Sequence, residues 1–145
     1  MGYSPDQSPQ FEGFYNRSPG LSSVGQYQIA GTPFLSGSDV ANGAEVQISF
    51  PQITKSITVI NNDSTGNDDI RVHFASKDAN LGATITNNHY VTLDAKNASV
   101  TFNVKASSIF VSNASGNPSS FQLFAELTGI DNGYMTTLTG TGIDA

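Results

Sequence analysis

The sequence predicts an all-β chain folded as an antiparallel β-sandwich, and three observations carry that prediction. Short segments alternating polar and apolar residues with period two recur between about residues 26 and 130. β-branched and aromatic residues dominate those segments, as a pleated, half-buried surface prefers. Clusters of Asn, Asp, Gly and Ser separate them, and no window sustains the 3.6-residue period of a long helix. Strands at near-regular spacing without intervening helices build a jelly-roll sandwich or, alternatively, an immunoglobulin-like one.

Taken in order, the chain divides into three zones. Residues 1–25 contain Pro5, Pro9 and Pro19 among Ser, Gly and Gln, with neither helical nor strand periodicity. Proline fixes φ and biases its predecessor toward extended backbone, so this zone reads as an extended arm. Disordered segments are poor in aromatics, yet this arm carries Tyr3, Phe11, Phe14 and Tyr15. Those rings read as anchors for pockets on a partner or on the chain's own body. The sandwich follows at 26–130, with strands expected at 26–29, 45–50, 55–60, 69–74, 91–93, 100–105, 108–112 and 121–127. Residues 131–145 form a Gly/Thr-rich tail in which Tyr134, Met135, Leu138 and Ile143 offer further apolar contacts. Alternation in 135–139 is imperfect, and no strand is assigned there.

Composition removes several classes of function. A length of 145 residues suits one domain with a real core, and the absence of cysteine excludes disulfides, thiolate metal sites and cysteine nucleophiles. Six basic against twelve acidic residues give a net charge of −6, with no Lys/Arg cluster, which argues against nucleic acid as a partner. Charged residues make up only 12% of the chain, and Asn, Ser, Thr and Gly carry the polar load instead. The apolar stretches are a few residues long, so no membrane-spanning helix is expected. The opening residues lack the basic and apolar regions of a secretory signal, and synthesis in the cytoplasm is expected.

The chemistry-bearing residues are sparse. His73 falls in a predicted strand on the face shared with Arg71 and Ala75, where it reads as a surface histidine. His89 precedes a strand and reads as a turn residue. No Gly-x-Ser-x-Gly elbow marks a nucleophile, so no catalytic residue is assigned and the chain is expected not to be an enzyme. Residues 61–69 resemble the beginning of a calcium loop, with Asn61, Asp63, Thr65 and Gly66 at suitable positions. Val72 stands at the twelfth position, where a bidentate Glu is required, so a polar turn is the favoured reading and no metal is assigned. Gly140-Thr141-Gly142 is too short for a dinucleotide fingerprint, and no cofactor is expected. The N-glycosylation pattern at Asn16, Asn62, Asn97 and Asn113 is what an Asn- and Ser-rich chain supplies by chance.

Three stretches in this order, 50–61, 70–74 and 121–130, resemble small β-sandwich structural proteins of tailed phages and other aquatic viruses. The resemblance covers the chain from about residue 25 onward, implies a capsid-decoration or minor capsid role, and transfers no functional residue. On that reading the partners are the major capsid protein or other virion subunits, and the location is the virion. The contacts would come from Tyr3, Phe11, Phe14, Tyr15, Tyr134, Met135 and Leu138, multiplied by avidity in a homo-oligomer, a trimer being expected. The alternative is a carbohydrate- or receptor-binding module of a fibre, tail or adhesin-like surface protein. Tyr90 with Asn87 and Asn88, or Tyr134 with Asp131 and Asn132, would then supply the aromatic platform and its polar partners.

Overall fold

A computed structural model describes residues 30–64, 68–76 and 89–135. Within them the chain forms eight strands: β1 (Thr32–Val40), β2 (Glu45–Ser49), β3 (Thr54–Asn61), β4 (Ile70–His73), β5 (Val91–Leu93), β6 (Ser99–Phe102), β7 (Ser108–Ser112) and β8 (Ser119–Leu127). One 3-10 turn, Asn132–Tyr134, follows. The strands lie in two four-stranded sheets ordered β1-β8-β3-β6 and β2-β7-β4-β5, with every pairing antiparallel.

The pairing pattern settles which sandwich this is. β1 pairs with β8, β2 with β7, β3 with β6 and β4 with β5, so the first half of the chain pairs with the second half in reverse order. That is one long hairpin of strands rolled onto itself, closed by the β3–β8 and β4–β7 ladders. It is the jelly roll, and it excludes the immunoglobulin order, whose sheets group the strands differently.

Side-chain alternation explains why the two sheets stack. On β8, Ser119, Phe121, Leu123, Ala125 and Leu127 are buried, while the residues between them face outward. Ile57 and Val59 of β3, Ile70 and Val72 of β4, and Ile109 and Val111 of β7 meet them in one apolar layer with Val40, Phe50 and Leu93. Phe34 packs edge-on against Phe50, and Phe74 against Phe102. A sandwich of this kind holds together by interdigitating such inner faces.

Three features alter the expected elements. β1 is a nine-residue strand where none was expected, whereas the strand expected at 26–29 lies outside the described residues. In β3 the register shifts between Thr54 and Ser56, so Thr54 and Ile57 both point inward despite their odd spacing. The strand expected at 100–105 stops at Phe102, and beyond it the Thr54 hydroxyl donates to the Val104 carbonyl at 2.9 Å.

Candidate interaction surface

The outer face of the β1-β8-β3-β6 sheet is built from residues that the pleat turns away from the core. Leu35 of β1 lies opposite Phe124 of β8, Phe124 opposite Thr58 of β3, and Thr58 opposite Thr101 of β6. One row therefore crosses the whole sheet, with the Thr58 and Thr101 hydroxyls 2.9 Å apart. The neighbouring row runs Gly37, Gln122, Ile60 and Ser99, and the row on the other side runs Pro33, Glu126 and Ser56. Glu126 is the one ionisable side chain in these three rows, and it accepts a hydrogen bond from the Ser56 hydroxyl. Leu35 is 77% exposed and Phe124 39% exposed, and they sit side by side. A broad, nearly uncharged sheet face with adjacent exposed leucine and phenylalanine is the kind of surface that proteins use for contacts with other proteins.

The opposite sheet is different, and here one expectation is corrected. His73 is not a surface residue: it is 1% exposed. The alternation places it on the outer face as expected, opposite Phe110 in the ladder, and the Phe110 ring stacks parallel to it at 5.8 Å. Its Nδ1 lies 2.8 Å from the Ala75 carbonyl, and its Nε2 lies 3.0 Å from the Ser112 hydroxyl and 3.7 Å from a Glu45 carboxylate oxygen. A carbonyl can only accept, so Nδ1 carries a hydrogen and Nε2 faces the serine. Glu45 in turn accepts from Ser76 at 2.6 Å. Histidine beside serine invites a nucleophile–base reading. However, the carboxylate stands at Nε2, not at Nδ1 where an orienting acid sits, and Ser112 is 6% exposed. The cluster ties β2, β4 and β7 together by polar contacts that burial makes costly to break.

At one end of the sandwich, the loops joining β1–β2, β3–β4 and β7–β8 are bound to one another. The Gly43 amide donates to the Asn113 carbonyl, and the Gly116 amide to the Asn42 side chain. Asn113 donates to the Val40 and Asn117 carbonyls, and Asn117 donates to Asp68. Asn61 and Asp63, considered above as calcium ligands, serve this network. Asn61 accepts from the Asp63 amide and donates to the carbonyls of Asp68 and Leu93, and Asp63 accepts from the Asp68 amide. Thr65 and Gly66 lie outside the described residues. Among the described residues, no group of three or more His, Asp or Glu is placed to hold a metal ion.

The contact residues expected from the sequence fare unevenly. Tyr3, Phe11, Phe14, Tyr15 and Leu138 lie outside the described residues. Tyr134 is 58% exposed on the 3-10 turn, while Met135 is half-buried against Ile53 and Ile130 of the chain's own body. Near Tyr134, the Asp131 carboxylate accepts from the Gly133 backbone amide, and the Asn132 side-chain Nδ2 donates to the Phe50 carbonyl. Tyr90 has the Arg71 guanidinium 4.5 Å over its ring, and Asn87 and Asn88 lie outside the described residues. Leu35 and Phe124 were not among the expected contact residues. The pairing of β1 with β8 brings them together, and β1 hides its period because its inward positions include Ser36 and Ser38.

No family model matches this chain. No curated protein matches it either. Among solved structures it is similar to a Cupin_2 domain of an XRE family transcriptional regulator from Enterobacter cloacae, at 15% identity and a TM-score of 0.41, covering 65% of this chain and 80% of that one. A cupin protein from Bacteroides fragilis matches at 14% identity and a TM-score of 0.39, covering 81% of this chain and 80% of that one. A de novo designed double-stranded β-helix matches at 14% identity and a TM-score of 0.41, covering 64% of this chain and 99% of that one. Likeness at this level assigns no activity, and the jelly-roll assignment rests on the strand pairing itself.

Proposed function

We propose that this chain is a non-enzymatic structural subunit of a virus particle, an accessory or minor capsid component of the decoration or cement type. Its partners on this reading are the major capsid protein or other virion subunits. The observation that carries the proposal is the outer face of the β1-β8-β3-β6 sheet. Its central row, Leu35–Phe124–Thr58–Thr101, is uncharged and includes two exposed large apolar side chains. Such a face loses little when dehydrated against a flat partner, because it has few charges to strip of water. A fold alone assigns no role, so the weight falls on the face.

The test is co-sedimentation of the purified chain with shells of the virus that encodes it, stripped of accessory proteins. Wild-type chain is expected to pellet with the shells at a fixed stoichiometry, and Phe124→Lys to remain in the supernatant with its melting temperature almost unchanged. Equal shell binding by Phe124→Lys and wild type would remove the face from the proposal. Absence of binding by the wild type would remove the virion role.

A further inference from the structure

The edges of the two sheets are unequal. β2 has five residues, β5 three and β6 four, but β1 runs for nine with an uninterrupted register along β8. Short edges are one way that sheet proteins avoid pairing with other chains, and charges, prolines and bulges are others. β1 has Pro33 near one end and Asp39 near the other, and the five residues between them, Phe34-Leu35-Ser36-Gly37-Ser38, carry no charge or proline. Among the described residues, β1 is the one long edge, and its middle carries none of these guards.

We propose that two copies of this chain pair through β1, antiparallel about a two-fold axis at Ser36, so that two sheets join into one of eight strands. The strand's own sequence is what fits it to a second copy. Opposed residues must point to the same face, which admits only pairings whose residue numbers sum to an even value. With Ser36 on the axis all nine residues find partners: Thr32 meets Val40 of the second copy, Pro33 meets Asp39, Phe34 meets Ser38, and Leu35 meets Gly37. Asp39, the strand's one charge, meets a proline and not another carboxylate. The exposed Leu35 meets a residue without a side chain, and the match occurs twice by symmetry. β8 already demands glycine at 37, because a Cβ there would lie 2.7 Å from the Phe121 carbonyl oxygen, so no side chain at 37 stands in the way of the second leucine. Moving the axis to Gly37 would set Leu35 against Asp39. Moving it to Leu35 would leave Asp39 and Val40 unpaired.

An antiparallel self-pairing has two-fold symmetry, so it builds a dimer and not the trimer expected from the sequence. It goes beyond the proposed function, since shell contact through the sheet face does not require it. It would, however, double that face on one rigid body.

Sedimentation equilibrium on the full-length chain tests the pairing. A monomer–dimer equilibrium is expected for the wild type, and Leu35→Lys is expected to weaken it about a hundredfold, two leucine contacts being lost at once. A wild type that stays monomeric up to about 100 μM, well above the roughly micromolar affinities of weak specific pairs, overturns the proposal, as does an oligomer that Leu35→Lys leaves intact. The register is read by oxidation, because the chain has no cysteine of its own. Ser36→Cys is expected to form a disulfide across the axis, where opposed Cα atoms lie about 4.5–5.5 Å apart, within disulfide reach. Faster bridging by Leu35→Cys, or bridging by Ser36→Cys no faster than by Ser99→Cys on the far edge, overturns it. The reading as a shell subunit is scored separately, with a variant outside the three rows of that face: Ser38→Lys sets a charge against Phe34 of the second copy, and a monomeric Ser38→Lys chain that still pellets with shells leaves that reading standing.

Discussion

Replacing Asn61 with leucine keeps the branched shape of the side chain and removes every hydrogen bond that the amide makes. Asn61 is fully buried at the end of β3, in the first sheet. Its amide nitrogen donates to the Asp68 carbonyl at 2.8 Å, just before β4, and to the Leu93 carbonyl at 2.9 Å, at the end of β5. Its oxygen accepts from the Asp63 amide at 2.9 Å. One side chain thus satisfies three backbone groups and spans from one sheet to two strands of the other. Each buried group left without a partner costs about 1–3 kcal/mol, and some of that cost is relieved as the loop shifts toward water. The expected loss is about 3–4 kcal/mol, a large part of the roughly 5–15 kcal/mol that holds such a domain together. In urea, with a slope near 2 kcal/mol/M, the midpoint should fall by about 1.5–2 M at unchanged slope. Asn62→Ala, one residue along and exposed, should move stability by less than about 0.5 kcal/mol. Asn61→Asp keeps the acceptor for Asp63 but sets a carboxylate against two carbonyls, so it should be at least as damaging as leucine. A loss below about 1 kcal/mol for Asn61→Leu, or equal losses at 61 and 62, would refute the reasoning that the amide network carries this end of the sandwich.

A buried hydroxyl and two glycine positions give parallel expectations. Thr54→Val keeps its shape but abandons the Val104 carbonyl and the Ala106 amide, and thermal unfolding should register a loss of about 2–4 kcal/mol. Gly37→Ala forces a Cβ to 2.7 Å from the Phe121 carbonyl oxygen, so a denaturant titration should show about 1–3 kcal/mol lost. Gly43→Ala meets no atom within 4 Å but sits at φ +79°, and the same titration should show about 1 kcal/mol lost. Because the Asn61 oxygen is committed to the Asp63 amide, millimolar calcium should leave the melting temperature where it was. A rise on adding calcium would return residues 61–69 to the status of a metal loop.

Strands β3, β4, β7 and β8 were legible because each places β-branched or aromatic residues at alternate positions, and burial of one face is all that such a pattern requires. β1 was not legible. Serines at 36 and 38 take the inward-facing register positions, the first half-buried and the second exposed, while Leu35 points outward, so the polarity that normally reveals a strand is inverted. β1 is a strand because β8 pairs with it along nine residues, an energy that belongs to the partner as much as to the segment. His73 teaches the complementary lesson. Its alternation gave the correct face, but period two says which side a residue points to and not what lies over it. Phe110, Ser112 and Glu45 come from strands distant in sequence. The candidate surface was illegible for the same reason: Phe124 lies in a strand that the sequence predicts, and Leu35 becomes its neighbour only through the ladder.

By itself, the sequence determined that this chain is an all-β sandwich with one apolar layer and turns of Asn, Asp, Gly and Ser. Those properties follow from local alternation and composition. Tertiary structure alone decided that the sandwich is a jelly roll, that His73 is enclosed, and that Leu35 and Phe124 lie side by side at the β1 end of the described sheet. Each of these depends on which strand hydrogen-bonds to which, and pairing β1 with β8 joins residues 79 to 95 positions apart. Backbone ladders look the same whatever strands they join. The choice among pairings is therefore made by the packing of all inner faces at once, a sum that no single segment contains.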